Sequence, residues 1–255
     1  MLDAILAVAR DRAAAVRERE TELIAAARDA TPARGFSKAL ADSALSVVAE
    51  IKRRSPSAGD LAPGLVAADQ AVEYQRGGAA ALSVLTEPVF FGGSMEDLVA
   101  AREAVELPVL RKDFTVAPAQ VWEARAAGAD AILVIVAVLD DDTLTMLMET
   151  AAAAGLDTLV EVHNERDVFR ALEAGAALIG VNNRDLETFT TDPEVAERLA
   201  PLLGGAAVTV AESGVSDIAV ARRMKRAGYS AILVGEALVR HADPARFVAQ
   251  LRGAP

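Results

Sequence analysis

A repeat limits the folds open to this chain. Alanine- and glycine-rich turns run into apolar strands at RGGAAALSVL (76–85), RAAGADAILVI (125–135), EAGAALIGV (173–181) and RAGYSAILVG (226–235). Their glycines, Gly78, Gly128, Gly175 and Gly228, recur roughly every 50 residues. One strand with one helix needs about half that length, so each period holds two such units. The intervening strands are LSVVAEIK (45–52), PVLRKDF (108–114), TLVEVH (158–163) and AAVTVAES (206–213). Alanine-rich helical segments such as AADQAVEYQR and DIAVARRMKR separate them. Alternation of this kind gives parallel strands covered by helices, and eight near-equal units favour closure over an open sheet. The expected fold class is α/β, a (β/α)8 TIM barrel over 45–255 with an N-terminal helical extension over 1–44. No linker or low-complexity run divides the chain, so one domain, 1–255, is expected.

Polar residues gather at the carboxyl ends of these strands. Side chains two apart share a strand face, so Glu50 and Lys52 point the same way at the end of the first strand. Lys112 ends the third, Glu161 the fifth, Asn182 the sixth and Glu212 the seventh. One such residue alone would read as a loop-facing charge. Contributions from five strands to the rim where barrel enzymes carry out chemistry read as a site. Lysine is also scarce: only Lys38, Lys52, Lys112 and Lys225 occur among 26 basic residues. A lysine closing an apolar strand therefore calls for a reason that an arginine would not satisfy.

AESGVSD (211–217) places Ser213 and Gly214 after the seventh strand, and LVGEALVR (233–240) places Gly235 after the eighth, opening a short helix. Unpaired N–H groups at a helix start favour an anion, and glycine lets it approach the backbone. Loops seven and eight of such barrels are a recurring phosphate site.

Composition narrows the setting. The net charge of −11 argues against nucleic acid or an anionic membrane as main partner. The absence of cysteine excludes disulfides and a thiol nucleophile, and fits a cytoplasmic location. The longest apolar run, AILVIVAVL, is too short to span a bilayer by the rule of about 20 residues.

VVAEIKRRSPSAG (47–59), SVLTEPVFFGGS (83–94), PVLRKDF, LVEVH, IGVNNRDLETF (179–189), VAESGVS (210–216) and ILVGEALVR together resemble the indole-3-glycerol phosphate synthase family. The resemblance runs from the first strand to the eighth. It implies a barrel enzyme of tryptophan biosynthesis that uses no cofactor or metal. The implied substrate is the small phosphorylated molecule 1-(2-carboxyphenylamino)-1-deoxyribulose 5-phosphate, and the partner state is a monomer or weak homodimer. Lys112 is then the general acid of ring closure, in a setting of cations and apolar walls expected to lower its pKa. Glu161 is the base of the dehydration, and Lys52 is its acid or a holder of the substrate's carboxylate or phosphate. Which lysine serves which step is left open. Glu50 positions the lysines. Asn182, Arg184 and Glu212 are expected to bind carboxylate or hydroxyls, and Ser213, Gly214 and Gly235 the phosphate. Pro56, Phe91, Phe114, Leu133 and Leu186 are the expected contacts of the anthranilate ring, although Leu133 and Phe114 read equally well as core, and Ser55 is a further expected substrate-binding residue.

Glu236 stands where the family often has a small hydroxyl residue, so only the backbone there is assigned to phosphate. His163 shares a face with Glu161 and is expected to make a satisfied polar contact. The extension reads as a lid, a plug for the barrel floor or a dimer surface. Two rivals remain: a Schiff-base aldolase, and a barrel that only binds a sugar phosphate.

Overall fold

The computed structural model describes residues 1–41 and 44–253. Eight parallel strands close into a barrel: β1 (Ser46–Ile51), β2 (Ala81–Leu85), β3 (Val109–Lys112), β4 (Ala131–Ile135), β5 (Asp157–Val162), β6 (Leu178–Asn182), β7 (Val208–Glu212) and β8 (Ala231–Val234). Closure is made by β1, which pairs with β8 through Ala49 and Val234 and with β2 through Ile51 and Val84. Helices alternate with the strands as the repeat predicts, among them α4 (Ala67–Arg76), α5 (Met95–Ala104), α6 (Pro118–Ala126), α7 (Asp141–Ala154) and α8 (Glu165–Glu173). The sixth and seventh strands are followed by α9 (Glu194–Leu199) and α10 (Ile218–Ala227), and the eighth by α11 (Glu236–Val239) and α12 (Pro244–Arg252). The loop after β1 folds back as a hairpin pairing Arg54 with Asp60 and Ser55 with Gly59.

Period-two alternation sorts the strand residues into two cores. Val47, Ala49, Val84, Val109, Ile132 and Val160 face outward against the helices. Val48, Leu110, Leu133, Leu159, Leu178, Val210 and Leu233 fill the barrel interior. Burial of this apolar surface stabilises the fold by roughly 25 cal/mol per Å². The inner series changes character toward the carboxyl ends: Val48 is followed on its face by Glu50, Leu110 by Lys112, Leu159 by Glu161 and Val210 by Glu212. One pattern therefore packs the floor and aims polar groups into the mouth.

The extension comprises α1 (Leu2–Arg17), α2 (Glu20–Asp29) and α3 (Phe36–Leu40). Both α1 and α2 pack against α6, and the Arg12 guanidinium grips the buried Asp113 with bonds of 3.1 and 3.0 Å. Lower down, the Arg34 backbone N–H donates to Asp130 at 2.7 Å and the Ser37 N–H to Asp157 at 2.8 Å. Phe36 and Leu40 are fully buried within the inner core. The extension thus plugs the floor with α3, while Leu2 and Ile5 of α1 line the mouth. Among the described residues no helix is long and apolar enough to cross a membrane.

Candidate active site

Of the three charged residues in PVLRKDF, only Lys112 faces the interior. Arg111 lies outward, buried against α6, and donates to the Gln120 carbonyl at 2.8 Å. The Lys112 ammonium donates to Glu161 Oε2 at 2.9 Å and lies 3.4 Å from Glu212 Oε2. Glu161 Oε1 accepts from Asn182 Nδ2 at 3.1 Å, and Asn182 Oδ1 accepts the Arg184 N–H at 3.0 Å. Just past the end of β1 the Lys52 ammonium sits 2.6 Å from Glu50 Oε1. Two glycines make room for these carboxylates. A Cβ on Gly180 would lie 2.0 Å from Glu212 Oε1, and one on Gly235 would lie 2.3 Å from Glu50 Oε1. Both ammonium groups open into the barrel mouth rather than bulk solvent, each side chain being 15% exposed.

The electrostatics differ from the expectation for Lys112. Burial disfavours its charge, but the carboxylates of Glu161, Glu212 and Glu50 outweigh that and raise its pKa above the ordinary lysine value. The lowered pKa inferred from sequence is therefore corrected: the neighbours are anions, not cations. Glu161 is equally buried, yet Lys112 and His163 hold its carboxyl well below the usual range. Glu212 behaves in the opposite way. Burial, with Glu161 and Glu50 nearby, outweighs the attraction of Lys112 and pushes it up to about 8. Its carboxylate oxygens are buried without a hydrogen-bond partner.

A pH test follows for Glu212. Its folded pKa is raised from 4.5, so the folded state retains a proton that the unfolded chain has released. The resulting stability is present in full below about pH 4.5 and is lost as pH rises toward 8, an effect of order a few kcal/mol. Glu212→Gln is expected to remove this slope, so the variant's melting temperature should gain on the parent's between pH 5 and 8. An unchanging difference across that window would show that Glu212 titrates normally.

The apolar slot lies beside the charges. Phe91 and Phe114 present their rings 6.3 Å apart, inclined at 40°. Ser55, Pro56, Leu133, Leu186 and Arg184 line the same cavity as Lys112 and Glu161. Leu133 is also a member of the inner core, so it both lines the cavity and packs the barrel. Glu87 fixes the Phe91 loop, its carboxylate accepting from the N–H groups of Val89, Phe90 and Phe91 at 3.0, 2.6 and 3.0 Å. The Arg184 guanidinium reaches Ser57 Oγ and so joins the β6 loop to the hairpin after β1.

A second hollow continues past Lys52 and Arg184 and is lined by Ser213, Gly214 and Gly235. Ser213 has φ 61° and Gly214 φ 77°. A left-handed serine costs roughly 1–2 kcal/mol, and Asn183 holds it, donating from Nδ2 to the Ser213 carbonyl at 3.0 Å. The Glu236 carboxylate pairs with Arg240 Nε at 3.1 Å.

Every site residue expected from sequence lies in or against these two connected hollows. Asn183, Glu87, Leu2 and Ile5 were missed. Asn183 adjoins Asn182 in the same motif and was within reach of the reasoning. Leu2 and Ile5 carry no local signal, because only the path of the extension brings them to the mouth. The expectation for His163 is corrected: both ring nitrogens are buried without a hydrogen-bond partner. Among the described residues, no group of histidine and carboxylate side chains could hold a metal ion.

The model of the indole-3-glycerol phosphate synthase family matches residues 2–251. Indole-3-glycerol phosphate synthase 2 of Streptomyces coelicolor is 50% identical over 244 residues, covering 96% of this chain and 93% of the relative. The Desulfosudis oleivorans indole-3-glycerol phosphate synthase is 48% identical over 243 residues, covering 94% and 92%. A solved 3-hexulose-6-phosphate synthase superposes with TM-score 0.62 at 21% identity, over 82% of this chain and 99% of that one, and so shares the fold. The chain therefore belongs to the indole-3-glycerol phosphate synthase family.

Proposed function

We propose that this chain closes the ring of 1-(2-carboxyphenylamino)-1-deoxyribulose 5-phosphate, releasing carbon dioxide and water to give indole-3-glycerol phosphate in tryptophan biosynthesis. The observation that carries the reading is the Lys112–Glu161 pair, 2.9 Å apart, set between an aromatic slot and a glycine-lined hollow. In this reading the anthranilate ring lies between Phe91, Phe114, Pro56 and Leu186. The phosphate rests on the backbone of Gly214 and Gly235 beside Ser213, with Lys52 and Arg184 supplying positive charge.

The ring carbon bearing the carboxylate attacks the ketone, and negative charge builds on the ketone oxygen. Lys112 meets it fully protonated, since its carboxylate neighbours hold the charge in place. The developing alkoxide is a stronger base than the amine, so the proton moves to oxygen as the bond forms. Loss of carbon dioxide restores the aromatic ring. Dehydration then needs an acid for the departing hydroxyl, assigned to Lys52, and a base for the carbon-bound proton, assigned to Glu161. Lys112 has by then given up a proton and Glu161 has gained one. Their hydrogen bond lets the second replenish the first, while Lys52 regains from solvent the one proton that the overall reaction consumes. A Schiff-base aldolase would need an uncharged lysine, and the anions around Lys112 oppose that.

Incubating the full chain with this substrate is expected to release carbon dioxide and raise indole fluorescence, with inorganic phosphate acting as a competitive inhibitor. Absence of the fluorescence, or an adduct trapped by borohydride, would reject the proposal.

A further inference from the structure

His163 follows β5, two residues beyond Glu161 on the same face, and its side chain is 11% exposed. Its backbone is pinned: the N–H donates to Asp167 Oδ2 at 3.1 Å, and that carboxylate also accepts from Asn164 Nδ2 at 3.1 Å where α8 begins. The ring is not. Nε2 lies 3.3 Å from Glu161 Oε1 and Nδ1 lies 3.9 Å from Asp167 Oδ2, yet neither nitrogen makes a hydrogen bond. An unpaired buried polar group is costly, and a native fold that keeps one calls for an explanation. Catalytic hydrogen bonds are often out of line before substrate arrives and tighten during the reaction. A small turn of this ring would align Nε2 with Glu161.

The contacts of Glu161 indicate what such a turn accomplishes. Oε2 is committed to Lys112, and Oε1 has one aligned donor, Asn182. A carboxylate held by one donor on each oxygen can still swing toward its stronger partner, the ammonium. A second donor on Oε1, from a ring anchored at α8, fixes the plane of the carboxylate. We propose that His163 is a positioning residue for the dehydration: its Nε2–H donates to Glu161 Oε1 and holds the carboxylate in place for proton removal. In that step a C–H bond beside the ring nitrogen breaks and its electron pair forms the ring double bond. The C–O bond breaks, the hydroxyl leaves as water with a proton from the acid, and the carbon-bound proton goes to Glu161. Ring closure and loss of carbon dioxide do not use Glu161 as a base, so they are spared. The inference rests on the proposed synthase reaction and on Glu161 as its base.

The test follows carbon dioxide and indole fluorescence together in the full chain. His163→Leu fills the space without a donor and is expected to lower the fluorescence-detected kcat about 10- to 100-fold. KM should stay within about twofold of the parent, and carbon dioxide should appear ahead of indole. His163→Gln keeps a donor at a similar reach and is expected to restore most of the rate and remove the lag. Should His163→Leu fail to fold, His163→Asn, polar but too short to reach Glu161, is expected to show the same lag. Coincident release of carbon dioxide and indole in these variants, or a raised KM at unchanged kcat, would overturn the inference. Glu161→Gln run in parallel separates the two failures. If it lags while His163→Leu does not, only the role of His163 falls. If it too shows no lag, the assignment of the base falls and takes this inference with it.

Discussion

Lys112→Ala is expected to lower the rate of ring closure about 10²–10⁴-fold, the range that general acid catalysis typically supplies, while leaving the fold intact. Removing one partner of a buried ion pair ordinarily costs about 3–5 kcal/mol, because a charge is left behind without compensation. Here the cost is softened. Burial with Glu161 and Glu50 nearby already pushes Glu212 up to about 8, so near neutrality loss of the ammonium leaves Glu161 as the bare carboxylate beside it rather than two such groups. Lys112→Arg should not restore the rate: the guanidinium keeps the charge but does not release a proton, and its planar fork does not match a point ammonium between Glu161 and Glu212. Single-turnover release of carbon dioxide measures the step, and far-ultraviolet circular dichroism checks the fold. Near-normal carbon dioxide release by Lys112→Ala would remove Lys112 from the mechanism.

Glu161→Gln is expected to reduce full turnover by a similar factor, about 10²–10⁴-fold, at a different point in the sequence. The amide has the shape of the carboxylate and keeps an oxygen for Asn182 or Lys112, but it cannot accept the carbon-bound proton. Carbon dioxide should therefore still be released, and indole fluorescence should lag behind it. Lys112 would also lose its strongest anionic partner, so a modest change in ring closure is expected beside the large one in dehydration. Rapid-quench sampling would detect the ring-closed, hydroxylated intermediate. An unchanged full rate would exclude Glu161 as the base.

The barrel and most of its mouth were legible in the sequence because both follow from alternation. Once β1, β3, β5, β6 and β7 are recognised, spacing by two residues places Glu50, Lys52, Lys112, Glu161, Asn182 and Glu212 on one inner face. The charge state of Lys112 was not legible. Its pKa depends on which groups from other strands lie within 3–4 Å, and Glu161 and Glu212 approach it only through barrel closure. The unpaired ring of His163 was hidden for the same reason, since a face can be read from sequence and a bond angle cannot. The extension was legible as helix but not as path. Nothing in MLDAILAVAR specifies that Leu2 and Ile5 reach the mouth while Phe36 seals the floor.

That path bears on how the molecule assembles. Arg12 grips Asp113, Arg34 bonds to Asp130 and Ser37 to Asp157, so the extension, made before the barrel strands, finds its partners about a hundred residues downstream. During vectorial synthesis these helices emerge with their docking sites still unmade, and contacts between such distant residues are slow to form. An extension made ahead of its docking sites is thus among the last parts to be seated, and the chamber at the barrel mouth gains its side wall and its base only when the strands around it already exist.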